Sequence, residues 1–373
     1  FLSDRFLYTI KGIYFGNFWR DDSLGRVNNV SASHLFNLDV QATYFVNDIH
    51  VLTFGVAGNF DKVNANLFGS HPGVGAAAYA QDEIAVTGDV KLTAGLRFDW
   101  QKVSVLKATA QVNPKLGLVY LHDKETSLRM SFGSGFRYPA IGEIYIESST
   151  NVSQVAVLPN PDLKSETSVS YEIGINRSVG NVVSVDLALF SSDFENLIEP
   201  SVQIKRYRPS PTSPEVEGAV IQFENVTKAR IQGLETVIRV EWWKKYFSTD
   251  VGYTYTWSRD LADNTVLKFR PRHIVYTAGA FSWDAFRVAA DFRYLSRIER
   301  IDENLVRLAP IVDGEQRVAI KLVDINTSYD LIGLGLPIRA GFNIKNLLNY
   351  SYVELLGNLG PVRTYFLSLE GIF

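Results

Sequence analysis

The chain of 373 residues has no cysteine. Disulfides, thiol nucleophiles and thiolate metal sites are therefore excluded, and the absence suits passage through an oxidising compartment. No initiator methionine or signal-peptide pattern opens the chain. It starts mid-pattern at Phe1-Leu2-Ser3-Asp4-Arg5, as a processed mature protein or a chain lacking its N-terminal portion would. No run approaches the roughly 18 apolar residues of a membrane-spanning helix. Net charge is only −3, which gives no electrostatic case for nucleic acid. The five histidines, His34, His50, His71, His122 and His273, lie far apart with no ligand spacing. No Gly-x-Ser-x-Gly elbow is present. Gly73-Val74-Gly75 and Gly333-Leu334-Gly335 lack a strand–helix context. The expectation is of no enzyme, no cofactor and no metal site. The acidic residues Asp302, Glu303, Asp313 and Glu315 could bind a cation such as calcium, but such a cluster is more often a solvated loop.

What the sequence does contain is alternation with the period of a β-strand. Leu92, Ala94, Leu96, Phe98 and Trp100 alternate with Lys91, Thr93, Gly95, Arg97 and Asp99. Val183, Val185, Leu187 and Leu189 alternate with Ser184, Asp186 and Ala188. Similar patterns run through Val251–Trp257, Phe286–Tyr294 and Ile338–Ile344. The last twelve residues repeat it, with Tyr365, Leu367, Leu369, Gly371 and the terminal Phe373 on one face. Many of these segments reach about 10 residues, longer than the usual strand of roughly 5–6 and suited to a tilted bilayer crossing.

The ionisable residues assign the faces. Arg97, Asp99, Arg239, Glu241, Arg287, Asp291, Arg293 and Arg339 share one face, and the other is almost wholly aliphatic or aromatic. A charge at mid-membrane on the lipid side costs roughly 2–4 kcal/mol, so the charged face must line a wet lumen. Leu96, Phe98, Val185, Leu187, Tyr253 and Phe342 then face lipid, and Arg97, Asp99, Asp186, Arg287 and Arg339 face inward. The reading is an all-β transmembrane barrel, antiparallel and up-and-down, with about sixteen strands. These are placed near 5–16, 33–46, 50–61, 75–87, 89–104, 111–121, 126–134, 166–177, 182–205, 218–242, 247–258, 272–282, 286–297, 318–329, 337–346 and 362–373.

The connections alternate between short and long. Short ones fall at Asn47–Ile49, Gly88, His122–Glu125, Val179–Asn181, Trp243–Tyr246 and Trp283–Ala285. Long ones cover 17–32, 61–74, 135–165, 206–217, 259–271, 298–317 and 347–361. Short turns belong on the periplasmic side and long loops outside. The proline-rich stretch Arg208–Pro214 cannot continue a ladder. Aromatic residues are 13% of the chain and gather at strand ends. Tyr14, Phe15, Phe18 and Trp19 do so at one end, and Trp242, Trp243, Tyr246 and Phe247 around a turn tipped by Lys244 and Lys245. Such rings favour the membrane–water boundary.

Several motifs occur in a specific order. Gly135-Phe136-Arg137-Tyr138-Pro139-Ala140 precedes Glu143 and Tyr145. Asn160-Pro161-Asp162-Leu163-Lys164-Ser165-Glu166-Thr167 precedes Tyr171-Glu172-Ile173-Gly174. Asn225 to Glu235 contains Ala229, Gly233 and Glu235, and Asn343 to Tyr352 precedes Pro361 and Arg363. From about residue 79 to the terminus, the chain resembles the TonB-dependent outer-membrane receptors. It matches their Gly-Phe-Arg-x-Pro, Asn-Pro-x-Leu-Lys-x-Glu and Tyr-Glu-x-Gly signatures, with Tyr138 where Ala is frequent and Ser165 where Pro is frequent. The motif residues read mainly as barrel-shaping. Prolines stiffen loop ends, and Gly135 and Gly233 permit close approach.

The resemblance implies a barrel of about 22 strands around an N-terminal plug, in the bacterial outer membrane. Residues 1–373 would then be the C-terminal portion, with the plug and about six strands absent. It implies TonB-coupled uptake of a scarce small-molecule ligand such as an iron–siderophore or cobalamin. Partners would be outer-membrane lipid or lipopolysaccharide, and the TonB complex through the missing N-terminal region. A passive sixteen-stranded porin and a structural barrel subunit are the alternatives. Arg206, Tyr207, Arg208, Arg300 and Arg307 are candidate extracellular contacts, because guanidinium groups hold carboxylates or phosphates bidentately.

Overall fold

The computed structural model describes residues 5–23, 26–149, 155–208, 214–243, 246–301, 304, 318–355 and 358–371. In chain order the strands are β1 (Phe6–Ser23), β2 (Arg26–Phe45), β3 (His50–Ala65), β4 (Gly69–Ala85), β5 (Val90–Val103), β6 (Thr109–Leu121), β7 (Thr126–Arg137), β8 (Ser148–Ser149), β9 (Val155–Val157), β10 (Glu166–Val179) and β11 (Val183–Tyr207). There follow β12 (Val216–Trp242), β13 (Phe247–Asp260), β14 (Thr265–Val266), β15 (His273–Trp283), β16 (Phe286–Leu295), β17 (Ile320–Asp330), β18 (Ile338–Lys345), β19 (Val353–Leu355), β20 (Asn358–Leu359) and β21 (Thr364–Gly371). Sixteen of these have eight residues or more, and each matches one strand expected from alternation. β8, β9, β14, β19 and β20 are loop fragments.

Each long strand pairs antiparallel with the long strand that follows it, from β1–β2 through β7–β10 and β13–β15 to β18–β21. Among the described residues no register joins β1 to β21. Among those residues β1 has a ladder only with β2, and β21 only with β18.

The short turns share one chemical device. Asn47 Oδ1 accepts the N–H groups of Ile49 and His50 at 2.9 and 2.8 Å. Thr87 Oγ1 does the same for Asp89 and Val90, and Asp123 Oδ1 for Glu125 and Thr126. A short side-chain oxygen thus replaces the ladder partner that the reversing backbone loses. These turns all lie at one end of the sheet, and so do Trp243 and Tyr246. The described strand ends that lead into the segments between β7 and β10, β11 and β12, and β16 and β17 lie at the other, as the up-and-down pairing requires. Lys244, Lys245 and Phe373 fall outside the described residues.

Two expected loops are corrected. Residues 17–23 and 26–32 form the paired ends of β1 and β2, out to Ser23↔Arg26. Residues 61–74 likewise continue the ladder of β3 and β4 up to Ala65↔Gly69. Polar residues such as Asn29, Ser31 and Ser33 broke the apolar pattern, but a ribbon that extends beyond the apolar band has no need of it. β11 and β12 extend furthest, at 25 and 27 residues.

Burial along β4 shows the two faces. Gly73, Gly75 and Ala77 are buried, whereas Pro72, Val74, Ala76, Ala78 and Ala80 are exposed. Polar side chains on the buried face reach across intervening strands, which only a concave surface allows. Tyr79 on β4 donates to Asp39 on β2 at 3.3 Å across β3. Arg129 on β7 grips Asp186 on β11 at 2.7 and 2.8 Å across β10, while its Nε donates to Glu172 at 2.9 Å. Gly174 makes the second crossing possible, because a Cβ there would lie 2.6 Å from the Arg129 guanidinium carbon. Arg97, Asp99, Arg239 and Arg339 pair on this same interior face, and Leu96 and Phe98 lie on the exterior at 55% and 46% exposure.

Candidate functional site

The long-loop end is built around the end of β7. Arg137 Nε and Nη2 donate to the two Glu166 oxygens at 2.7 and 2.6 Å. Its Nη1 donates to Glu143 at 2.8 Å. Glu143 also accepts the Ala140 N–H at 2.8 Å, fixing the start of a five-residue helix, α1 (Ile141–Tyr145). Glu166, only 11% exposed, accepts the Ile198 N–H from β11 at 2.6 Å. One ionic cluster therefore joins the end of β7, the helix, the start of β10 and the middle of β11.

A small apolar core lies beside it. Val103, Tyr138, Ile141, Ile144, Leu163 and Ile198 are buried together, with Phe136 packed against them. Pro139 is fully buried. Asn160 ties the loop down by donating Nδ2–H to the Phe223 carbonyl at 2.7 Å, and its own N–H goes to the Ile144 carbonyl. Its side-chain oxygen accepts the Asp162 N–H across Pro161. Asn225 exchanges hydrogen bonds with the Lys164 backbone. Gly135 faces the Ser168 hydroxyl. Gly233 sits under the Phe190 ring, 2.6 Å from where a Cβ would be, and against the Tyr255 carbonyl. Glu235 is exposed, opposite Ala188 and Thr254. The motif residues thus act on one another and on backbone groups.

A separate charged cluster lies where the 261–272 loop meets β11 and the start of the 296–319 connection. Glu199 is hydrogen-bonded by Arg270 at 3.3 Å. Burial raises the Glu199 carboxyl above its ordinary value, while Arg270, Lys268 and Arg300 pull it the other way. Arg270 Nε is buried with no hydrogen-bond partner among the described residues. Arg272 clasps Glu299 at 2.5 and 2.6 Å, and that donation holds the Glu299 carboxyl below its ordinary value. Arg300 donates to the Val266 carbonyl at 3.1 Å and to the Thr265 hydroxyl. Such a group of guanidinium and ammonium donors is suited to a carboxylate- or phosphate-bearing ligand.

Of the candidate contacts named from sequence, only Arg300 belongs to this cluster. Tyr207 is 6% exposed and packs with Ala156 and Val220. That burial corrects the expectation of a ligand-facing ring. Arg208 pairs with Glu215 across its hairpin at 3.3 Å, and Arg206 is exposed beside them. Arg307, with Asp302, Glu303, Asp313 and Glu315, lies outside the described residues. Lys268, Arg270 and Arg272 were missed. Three cations within Lys268-Phe269-Arg270-Pro271-Arg272 were the available signal.

An antiparallel barrel sheet with an apolar exterior, an ion-paired interior and all its long loops at one end is the architecture of a bacterial outer-membrane β-barrel. The family described as TonB dependent receptor-like, beta-barrel matches residues 3–347, and the chain belongs to that family. It is 25% identical over 344 residues to the iron-regulated outer membrane virulence protein of Vibrio cholerae serotype O1, covering 87% of this chain and 49% of that protein. It is 27% identical over 222 residues to the vitamin B12 transporter BtuB of Vibrio vulnificus, covering 60% of this chain and 30% of the transporter. Among solved structures, a mutant ferric enterobactin receptor (PfeA) from Pseudomonas aeruginosa superposes with a TM-score of 0.73 at 17% identity, over 98% of this chain and 59% of that one. The copper transporter OprC does so with a TM-score of 0.73 at 16% identity, over 99% and 63%. The chain spans about half the length or less of these curated relatives. Its place is the bacterial outer membrane.

Proposed function

We propose that the protein is the barrel of a receptor for TonB-coupled uptake of a scarce small-molecule ligand, with an iron–siderophore or cobalamin as the leading class. The observation that carries this is the family match over 3–347. Relatives named as a vitamin B12 transporter and a ferric enterobactin receptor support it. The Arg270, Lys268 and Arg300 cluster on the loop side favours a ligand bearing carboxylate or other anionic oxygens. Coverage of 49% of the Vibrio cholerae relative supports a longer native subunit, with a plug and further strands completing the ring. In such a longer subunit, TonB would engage a part outside residues 1–373.

The test is uptake in the native bacterium. Cells with and without the gene are given labelled ferric siderophores or cobalamin under scarcity, with and without a protonophore. Gene-dependent uptake that saturates and collapses with the protonophore is expected. Uptake that persists without the proton gradient and does not saturate would make the barrel a passive pore. The mass of the subunit extracted from the same cells should be about twice that of this chain, since the chain spans 49% of its relative.

A further inference from the structure

The arginine–carboxylate pairs on the loop side differ in how fully the guanidinium is used. Arg137 meets both oxygens of Glu166 through Nε and Nη2. Arg272 does the same to Glu299, through Nε at 2.5 Å and Nη2 at 2.6 Å. Arg270 touches Glu199 through Nη2 alone, at 3.3 Å and on one oxygen. Its Nε–H is buried and has no acceptor among the described residues. A guanidinium fits a carboxylate best side-on, through two parallel N–H···O bonds. The Arg270 fork is therefore half used.

Glu199 is a poor occupant of this position. Its side chain is 14% exposed, and burial raises its carboxyl above the ordinary value. Across the β11–β12 ladder it stands opposite Glu224, a second carboxylate, which Gln203 and Lys205 engage. Like charges directly opposite in a ladder are destabilising. Asp260 on β13 adds further negative charge, and Lys268, Arg270 and Arg300 oppose it. Glu199 thus keeps its charge at a cost that the single Arg270 contact only partly offsets.

The arginine, by contrast, stands on a fixed platform. Leu267, 2% exposed, packs with Leu197 and Ala229. Phe269 holds a φ of +59°, a left-handed conformation unfavourable for a bulky side chain. Its N–H donates to the Arg300 carbonyl at 2.9 Å. Pro271 bridges to Ile298, and the Arg300 guanidinium holds Thr265 and Val266. Such backbone strain persists only where the surroundings over-determine it, and it gathers at ligand-holding sites. The platform can keep Arg270 in place while the carboxylate it holds is exchanged.

We propose that Glu199 is a built-in competitor for the ligand: its carboxylate occupies Arg270 while the site is empty and yields it to a carboxylate of the incoming ligand. The incoming group takes Nε and Nη2 together. Glu199, released from Arg270, still faces Lys268 and Arg300. A ligand without an anionic oxygen gains nothing at Arg270 and leaves the pair closed. Selection for carboxylate-bearing ligands thus comes from the exchange, not from positive charge alone. The proposal rests on the reading of this cluster as the site of an anionic ligand.

The full-length subunit, extracted from the outer membrane into detergent, is labelled with an arginine-selective dicarbonyl. Labelling rates of Arg270 and Arg272 are read by peptide mass spectrometry. The probe is citrate, with glucose as the uncharged control. Citrate should protect Arg270, and glucose should not. Glu199→Gln should lower the citrate concentration for half-protection about tenfold, as removal of one competing charge-assisted hydrogen bond does. Glu199→Ala should do the same. In both variants Arg272 should label at the parent rate, whereas loosening of the whole loop would speed both arginines. Heat-modifiable migration on a gel establishes that each variant is folded. Failure of citrate to protect Arg270 in the parent overturns the proposal without any variant. So does an unchanged half-protection concentration in the folded Glu199 variants, or an equal acceleration of Arg272. The readout needs no transport, so it fails separately from the uptake assay.

Discussion

The Arg137 guanidinium closes on the Glu166 carboxylate through two parallel hydrogen bonds of 2.7 and 2.6 Å across 29 residues of chain. The pair is the hinge pin of the outer mouth, because Glu166 also holds the Ile198 N–H and Arg137 also holds Glu143. Replacing Glu166 with Gln keeps the volume but removes the charge and one acceptor. Breaking a buried ion pair costs about 3–5 kcal/mol. Arg137 is 44% exposed and stays partly hydrated, so a loss of about 1–3 kcal/mol is expected here. A double-mutant cycle with Arg137→Gln in reversible denaturant unfolding measures it. Strictly additive effects would show that the pair is not coupled.

Gly174 and Gly233 should respond differently to alanine. At Gly174 the new Cβ meets the end of a long side chain, Arg129, which can move away and give up Asp186. The cost should be near the low end of the roughly 1–3 kcal/mol for overpacking. At Gly233 the Cβ meets the Tyr255 backbone carbonyl, which cannot rotate aside. G233A should therefore exceed that range and lower the yield of heat-modifiable folded barrel, while G174A still folds. Equal folding yields for the two would contradict this.

Adjacent residues on β5 offer a test of facing. Leu96→Arg puts a guanidinium at mid-height on the lipid side, with an expected loss of roughly 2–4 kcal/mol. Arg97→Leu removes a partly exposed lumenal pair with Asp99 and should cost about 1 kcal/mol or less. Folding into lipid vesicles against denaturant ranks the two. A larger loss for Arg97→Leu would reverse the assignment of the faces.

The Glu299 carboxyl is held below its ordinary value by donation from Arg272. Its depressed folded value means that the unfolded chain binds more protons in the window between the two. The stabilisation is complete above the unfolded value of about 4.5 and is lost as pH falls through the folded one. A carboxyl-carbon NMR titration should place the Glu299 midpoint below that of a free glutamate, and Arg272→Met should move it back up. A midpoint at or above the free value would refute the pairing. Glu199, raised by burial, should titrate in the opposite direction.

The barrel was legible residue by residue. Alternation located all sixteen long strands, because a strand between lipid and water must place apolar and polar groups on opposite faces at every second position. It failed at Asn29–Ser33 and at Asp61–Val74, where the ribbons rise out of the bilayer and the constraint lapses. The mouth was less legible. Arg137, Glu143 and Glu166 were visible as motif letters, but not as partners, since strand order and register alone bring them together. Tyr207 read as an exposed aromatic beside two arginines, and burial against Ala156 and Val220 was decided by the return of a distant loop.

The sequence by itself determined the strands, the lipid-facing set and the turn chemistry, because each follows from contacts within a few residues or from solvent on one face. Only the tertiary structure decided which charges neutralise one another. Arg129 reaches Asp186 across a strand over Gly174, and Arg230 finds Asp193. Pairing depends on barrel curvature and on the register between strands. Neither is encoded in the period of any one strand.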